Sequence, residues 1–101
     1  MSSRIELQNM LEEILGSRNV YFQPPASVRL KYPCVIYSLK DMRPNHANNR
    51  VYNLFDCYEL IYIDSDPDNK IARELAKVVT CRFDRFYEAD NLNHYVYTLY
   101  F

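Results

Sequence analysis

Glycine is almost absent from this chain, which has one glycine and no tryptophan among 101 residues. Loops that wrap phosphate groups use several glycines to bring the backbone close to the ligand, so most nucleotide-binding loops are excluded. Long apolar runs are also lacking, and we therefore expect neither a transmembrane helix nor a targeting peptide. A net charge of −1 provides no overall field for holding nucleic acid or an anionic membrane.

Paired cysteine motifs are lacking too. Cys34, Cys57 and Cys81 form no C-x-x-C pair, so the sequence indicates neither a zinc ribbon nor a redox motif. Each lies in a strand-like run, where a free thiol packs as a small apolar group. We expect all three to be reduced packing residues in a protein made in the cytosol.

What the chain has instead is aromatic side chains, with ten tyrosines and five phenylalanines. Tyrosine combines a large apolar ring with a polar tip, which suits surfaces that are wet at one stage and buried at another. The hydrophobic fraction of 49% is typical of a globular protein. The length predicts one domain over residues 1–101, which would bury about 60–70% of its unfolded surface.

The chain ends in a predicted strand that is apolar on both faces. One face carries Tyr95, Tyr97, Leu99 and Phe101, and the other carries Val96, Thr98 and Tyr100. Such a strand needs cover from its own core and from a second surface, such as a neighbouring subunit. Tyr95, Tyr97, Leu99 and Phe101 are therefore candidate interface residues, which indicates an assembly component rather than a free-standing catalyst.

Two helices are predicted. The first begins with the capping box Ser3 to Glu6, ends at Gly16, and has an apolar stripe of Leu7, Met10, Leu11, Ile14 and Leu15. The second has Asp66 as N-cap and Pro67 at its first position. Its apolar stripe consists of Ile71, Ala72, Leu75, Ala76 and Val79.

Five strands complete the pattern. They are predicted at residues 20–23, 34–40, 51–63, 81–87 and 91–101, with a turn at 88–91 and a projecting polar loop from Asp41 to Arg50. The resulting order, α-β-β-β-α-β-β, favours an α+β fold: a mostly antiparallel β-sheet with two α-helices packed on one side.

Three patterns that resemble chemical sites do not meet the requirements of those sites. Asp64-x-Asp66-x-Asp68 looks like the opening of a calcium loop, but positions six and twelve hold Asn69 and Leu75 instead of Gly and Glu. Neither His46 nor His94 has the spacing of a zinc ligand. A Cys–His nucleophile pair has no local signature here, although partners can meet in space. We predict no catalytic residues, no cofactor and no metal, and hence no enzyme.

Cations that alternate with aromatics from Arg82 to Tyr87 resemble a nucleic-acid-binding strand, but such a motif also requires glycine. We interpret this segment as core packing plus an interface charge pair, with Phe83 and Phe86 on opposite faces. Arg43, His46 and Arg50 in the polar loop are the remaining candidate contact residues, because loops on a rigid sheet concentrate binding functions. A solvated connector is an equally good interpretation of that loop.

Two segments carry a resemblance to a known family. They run from Asn19 to Tyr37 and from Arg82 to Tyr100, and together with the two helices they resemble small tail-completion or tail-terminator proteins of long-tailed (siphovirus-type) bacteriophages and prophages. The resemblance implies a structural virion protein that forms a homo-oligomeric, hexameric ring on the tail tube. Such a ring ends tail polymerisation and offers the surface for head-tail joining.

The resemblance also implies the partners and the location. They are the tail tube protein and the head-tail connector, at the neck of the virion and in the host cytoplasm during assembly, with no membrane and no sequence-specific nucleic acid. A head-completion or neck protein that binds the portal or adaptor ring would use the same fold, and nothing in the sequence excludes it. A homo-oligomeric module with a metabolite pocket and an enzyme are two more candidate functions.

Overall fold

A computed structural model describes residues 4–47, 50–78 and 81–101, and it describes side chains for residues 4–40, 56–78 and 81–101. In chain order the elements are α1 (Arg4–Leu15), β1 (Val20–Phe22), β2 (Cys34–Ala47), β3 (Arg50–Asp64), α2 (Ile71–Ala76), β4 (Cys81–Ala89) and β5 (Leu92–Tyr100). The strands form one sheet in the order β1-β2-β3-β5-β4. Only the β1–β2 pair is parallel among the described pairs, so the prediction of a mostly antiparallel α+β fold is confirmed, with a mixed sheet.

Helix α1 forms where its apolar stripe predicts. Leu7, Leu11 and Leu15 are buried at intervals of four residues, which places them on one side of the helix. Gly16 follows with φ +78°, and its N–H donates to the carbonyl of Glu12 at 2.9 Å. A left-handed residue after the last turn is the usual place for glycine. Ser3 of the predicted capping box lies outside the described residues.

Helix α2 begins at Ile71, so the predicted start at Asp66 and Pro67 is wrong. The carboxylates of Asp64 and Asp66 instead accept the main-chain N–H groups of Asp66 and Asp68, each at 2.9 Å. Such contacts two residues ahead stabilise turns in competition with a helix. The side-chain oxygen of Asn69 accepts the N–H of Ala72 at 3.0 Å and supports the true first turn. Val79, the last residue of the predicted stripe, lies outside the described residues.

The segment predicted as a projecting loop, 41–50, is strand on both sides of residues 48–49. Strand β2 continues to Ala47 and pairs with β3 down to Arg50, with register shifts at Leu39/Asp41 and Asn45/His46. Strand β1 pairs only as far as Tyr37, and β5 reaches only Cys57 on β3. Residues 41–47 and 50–55 therefore form a two-stranded ribbon beyond the sheet, which we call the ribbon.

The loop prediction failed because it relied on composition. Proline and asparagine are depleted in the interior of a sheet, where every N–H is needed for pairing. Pro44 instead lies opposite Leu54 in a part of β2 that has no described strand on its other side. A strand with a neighbour on one side needs only every second N–H for pairing, so a polar segment with proline can still be a strand.

Cross-strand pairing defines two faces of the sheet. The first, which we call the helix face, includes the rows Val35–Tyr62–Tyr95–Phe86 and Tyr37–Leu60–Tyr97–Phe83. The Tyr37 hydroxyl donates to Gln8 of α1 at 2.5 Å, and the Tyr97 hydroxyl donates to the carbonyl of Ala72 in α2 at 2.7 Å. Leucines of both helices join the core on this face. The second face, which we call the far face, carries Ile36, Ile61, Val96 and Arg85 in one row.

Candidate interaction surfaces

The four residues of the last strand that were predicted to form an interface lie on the helix face or at its end. Tyr97 and Leu99 are each 1% exposed and belong to the domain's own core. Tyr95 is half-buried and its hydroxyl accepts a hydrogen bond from Asn69 at 3.2 Å. Phe101 is also half-buried, and its main chain pairs with that of Asp56. Of the four, only Tyr95 and Phe101 keep surface that a partner could contact.

Burial makes the central tyrosines and two of the thiols poor acids. It raises the pKa of Tyr97 and of Tyr62 well above the ordinary value of 10.0, and the hydrogen bond to Asp64 raises that of Tyr62 further. Burial also raises the pKa of Cys34 and of Cys81 to about 11. All three cysteines are free, as predicted. A thiol that stays protonated at neutral pH is a weak nucleophile, so these two are suited to packing.

The predicted contact residues Arg43, His46 and Arg50 all lie on the ribbon. His46 is opposite Val51 and Arg50 is opposite Ala47, which places both near the end of the ribbon. Arg43 is opposite Phe55, closer to the sheet. The fold thus gathers the three positions on one extension, although as strand residues rather than as residues of a loop.

Strand β4 is an edge of the sheet and exposes most of its side chains. Phe83 is 48% exposed, Phe86 is 51% exposed and Tyr87 is 38% exposed. The interpretation of this strand as core packing is therefore wrong for these aromatics. They stay exposed because, among the described strands, β4 has only β5 as a neighbour, and the core cluster does not include Phe83 or Phe86.

A β-bulge between Phe83 and Arg85 changes which residues share a face of β4. Phe83 is opposite Tyr97 and Phe86 is opposite Tyr95, so both phenylalanines lie on the helix face. Strict alternation predicted them on opposite faces, and that prediction is wrong. The extra residue of a bulge shifts the alternation by one position. No proline or glycine marks this bulge in the sequence, so periodicity alone could not reveal it.

The charge pair in β4 is internal. The Arg82 guanidinium lies 3.0 Å from one carboxylate oxygen of Asp84, and the buried hydroxyl of Thr98 donates to the other. Partial burial raises the pKa of Asp84, but the hydrogen bonds from Thr98 and Arg82 outweigh it and bring the pKa below its ordinary value of 3.8. Asp84 is thus ionised at neutral pH and fixed on the far face of the sheet.

A cavity of about 340 Å³ lies between α2 and the outer strands. It is lined by Pro67, Asn69, Ala72, Arg73, Ala76, Phe83, Tyr95 and Tyr97. Aromatic rings and short aliphatic side chains are prominent in this lining, and Arg73 is the one charged residue among its described members. Such a lining accepts an apolar or aromatic side chain better than a charged metabolite.

The far face carries apolar residues without a described helix packed on them. Ile36, Ile61 and Tyr100 are half-buried there. Tyr87 stacks on His94 with ring centroids 4.6 Å apart, and the Arg85 guanidinium lies 5.9 Å from the Tyr87 ring. His94 is therefore held by an aromatic stack, and its ring nitrogen lies 3.1 Å from the carbonyl of Leu92.

Metal-ligating residues do not cluster in the described part of the chain. Among residues 4–47, 50–78 and 81–101, no group of three or more His, Cys, Asp or Glu residues is placed to hold a metal ion. Neither helix within those ranges has the length and apolar character needed to span a membrane. No protein-family model, curated protein or solved structure matches this chain.

Proposed function

We propose that this protein is a structural virion subunit that forms a ring on the tail tube of a long-tailed bacteriophage, ends tube polymerisation and provides the head-tail joining surface. The resemblance of its two segments to tail-terminator proteins suggests the setting. The observation that carries the proposal is the ribbon, a two-stranded extension beyond a sheet whose far face keeps half-buried apolar residues. The role is mechanical, with no chemical step and no cofactor.

Ring closure needs two different surfaces on each subunit, because the contact is head-to-tail rather than two-fold. The ribbon and the far face can supply such a pair. Six residues of strand span about 20 Å, enough for the ribbon to lie along part of a neighbouring subunit's sheet. On the far face, Ile36, Ile61 and Tyr100 offer apolar surface to receive it.

The arrangement of the helices fits this role. In our proposal α1 and α2 form one layer over the helix face, so the domain folds without help and keeps the far face for assembly. The ring, a hexamer in our proposal, would meet the tail tube protein on one side and the head-tail connector on the other. It would be located at the neck of the virion, after assembly in the host cytoplasm.

The decisive experiment is electron microscopy of lysates from a phage from which this gene has been deleted. Overlong tails of uneven length, detached from DNA-filled heads, are the expected result, because an uncapped tube keeps polymerising. Tails of normal length beside leaking or tailless heads would contradict the proposal and assign the protein to the head side of the neck.

The ribbon is tested by charge reversal. The double substitution Arg43→Glu plus Arg50→Glu is expected to leave the fold intact, because both positions lie on the ribbon beyond the five-stranded part of the sheet, and to abolish complementation of the deletion. The matched control is Arg18→Glu plus Arg29→Glu, which reverses two exposed cations elsewhere on the chain. Equal plaque yields for the two double variants would show that the ribbon cations are not needed for assembly, which would contradict this part of the proposal.

A further inference from the structure

Strand β4 leaves its outer main-chain groups without a partner in the described part of the chain. Proteins commonly protect such an edge with charged residues or with a bulge that puts an incoming strand out of step. Here Arg82, Asp84, Arg85 and Glu88 supply the charges, and the bulge between Phe83 and Arg85 supplies the irregularity. An ordinary strand would lose register at this bulge, since two residues of β4 occupy the space of one.

The bulge gives β4 an internal symmetry. Counting outward from residues 84 and 85, Phe83 and Phe86 both lie on the helix face. One step further, Arg82 and Tyr87 both lie on the far face, opposite Thr98 and His94. Asp84 and Arg85 lie on the far face as well, since Asp84 bonds Thr98 and Arg85 is opposite Val96.

We propose that β4 pairs antiparallel with β4 of a second copy of this chain, about a two-fold axis that passes through the two bulges. An antiparallel pair requires opposed side chains to lie on the same face of the joined sheet. A two-fold axis between residues 84 and 85 meets this requirement at each pair from Arg82 to Tyr87. The extra residue of one bulge faces the extra residue of the other, so the two strands stay in register. The same patch contributes from both copies, as a two-fold contact demands.

Side-chain chemistry favours this register. Phe83 is opposite the second copy's Phe86, and this pair occurs twice, so the half-exposed rings cover one another. Asp84 is opposite the second copy's Arg85, which gives two ion pairs of opposite charge. Arg82 is opposite the second copy's Tyr87, a cation over an aromatic ring. A register centred on Arg85 would instead place two like charges face to face.

The cavity beside Phe83 lies next to this seam. Its lining combines Phe83 with Tyr97 and Ala76 of α2. An aromatic ring from a second β4, placed against Phe83, would lie beside one wall of this cavity. Three of the four strongly exposed aromatics among the residues whose side chains are described, Phe83, Phe86 and Tyr87, lie on β4, and this pairing would cover them.

This dimer is independent of the proposed ring. A two-fold contact uses one patch twice, whereas a ring uses two different patches. Either proposal can therefore be wrong while the other is right. Deletion of the gene in phage tests the ring, and self-association of the purified chain tests the dimer.

The test is a charge exchange followed by sedimentation equilibrium from micromolar to millimolar concentration. A single nine-residue strand contact is smaller than a standard interface, so we expect a reversible dimer of moderate affinity. Asp84→Arg and Arg85→Asp should each raise the dissociation constant at least about tenfold, because each opposes like charges twice. Mixing the two variants should restore a heterodimer, since both contacts then join opposite charges.

Asp84 also bonds Thr98, so a second variant is needed in case Asp84→Arg does not fold. Phe86→Lys places a charge opposite the second copy's Phe83 and should make the chain monomeric while its circular dichroism spectrum stays unchanged. Ile5→Lys is the matched control, because Ile5 is 61% exposed on α1, away from β4, and should leave the dimer intact. A wild-type chain that stays monomeric, or equal behaviour of Phe86→Lys and Ile5→Lys, would overturn the proposal. So would a mixture of the two charge variants that remains dissociated although both show the circular dichroism spectrum of the wild type.

Discussion

Strands β4 and β5 are neighbours, are both nine residues long, and each carry three aromatic residues, yet their environments are opposite. Strand β5 buries every residue from Val96 to Leu99, whereas β4 exposes every residue from Arg82 to Glu88. The difference comes from position, since β5 lies between β3 and β4 and β4 lies at the edge. Aromatic content therefore identifies a strand, but only the sheet order tells which rings stabilise the fold and which remain for a partner.

The largest expected effect is a loss of stability on removal of one aromatic ring, compared between β5 and β4. Tyr97→Ala should lower the free energy of unfolding by about 3–5 kcal/mol, the usual loss for a large buried side chain. Phe83→Ala, at the directly opposed position but 48% exposed, should cost less than half as much because only part of its ring leaves water. Urea unfolding at neutral pH measures both.

Protein concentration is the control for this comparison. At low concentration, where the chain is monomeric, the two losses should differ as stated. Equal losses at every concentration would mean that Phe83 is buried within a single chain, which would remove the contrast between edge and centre.

Alkaline pH should weaken the buried part of the sheet through its tyrosines. Burial raises the pKa of Tyr62 and Tyr97 above the unfolded value of 10.0, so the unfolded chain releases these protons first. Their contribution is complete below pH 10 and declines above it, by at most about 1.4 kcal/mol per pH unit for each proton. The free energy of unfolding should therefore fall as pH rises beyond 10, in addition to a loss from Cys34 and Cys81 that begins near pH 9.

The double variant Tyr62→Phe plus Tyr97→Phe isolates the tyrosines. It should show a shallower decline above pH 10 than the wild type, because phenylalanine has no proton to release. The variant also loses the hydrogen bonds to Asp64 and Ala72. Their contribution to the free energy of unfolding is measured at pH 7, as the difference between the two proteins, and is subtracted. Parallel curves above pH 10 would show that these two hydroxyls do not cause the alkaline loss.

Removal of the hydrogen bond between Thr98 of β5 and Asp84 of β4 should lower the free energy of unfolding by a smaller amount. Thr98→Val keeps the shape of a buried side chain but removes the hydroxyl that donates to Asp84, and should cost about 1–2 kcal/mol. Because the pKa of Asp84 is lowered, its stabilisation is present above pH 3.8 and is lost as pH falls. Thr98→Val should therefore also weaken the acid dependence of urea unfolding.

Arg82→Ala is the comparison for that substitution. It removes the ion pair with Asp84 through a side chain that is 71% exposed, so its loss at pH 7 should be smaller than that of Thr98→Val. A larger loss for Arg82→Ala would mean that the cation, rather than the buried hydroxyl, holds Asp84 in place.

The sequence predicted those elements whose signals are local. The spacing of apolar residues by three and four positions located α1, Gly16 marked its end, and alternation located the strands of the sheet. The ribbon was not predicted, because composition does not show that a segment with proline pairs with a neighbouring strand. The start of α2 was not predicted, because composition does not show that turns formed by the aspartate side chains displace the first turn of the helix. For the candidate surfaces, the sequence indicated β5 residues such as Tyr97 and Leu99, which the core buries. The exposure of β4 went unrecognised because edge position and a bulge arise from tertiary pairing.

The smallest expected effect concerns the turn that joins β4 to β5. Asp90 and Asn91 have φ values of 53° and 62°, as in the two-residue turns that match the twist of a hairpin. Asn91→Ala should cost about 1 kcal/mol, because alanine is disfavoured in this left-handed conformation, whereas Asn91→Gly should be close to neutral. Urea unfolding of the two variants tests whether the turn fixes the register of an exposed strand on a buried one. If Asn91→Ala were as stable as Asn91→Gly, the pairing of β4 with β5 would be set by contacts such as Thr98–Asp84 and Phe83–Tyr97 alone.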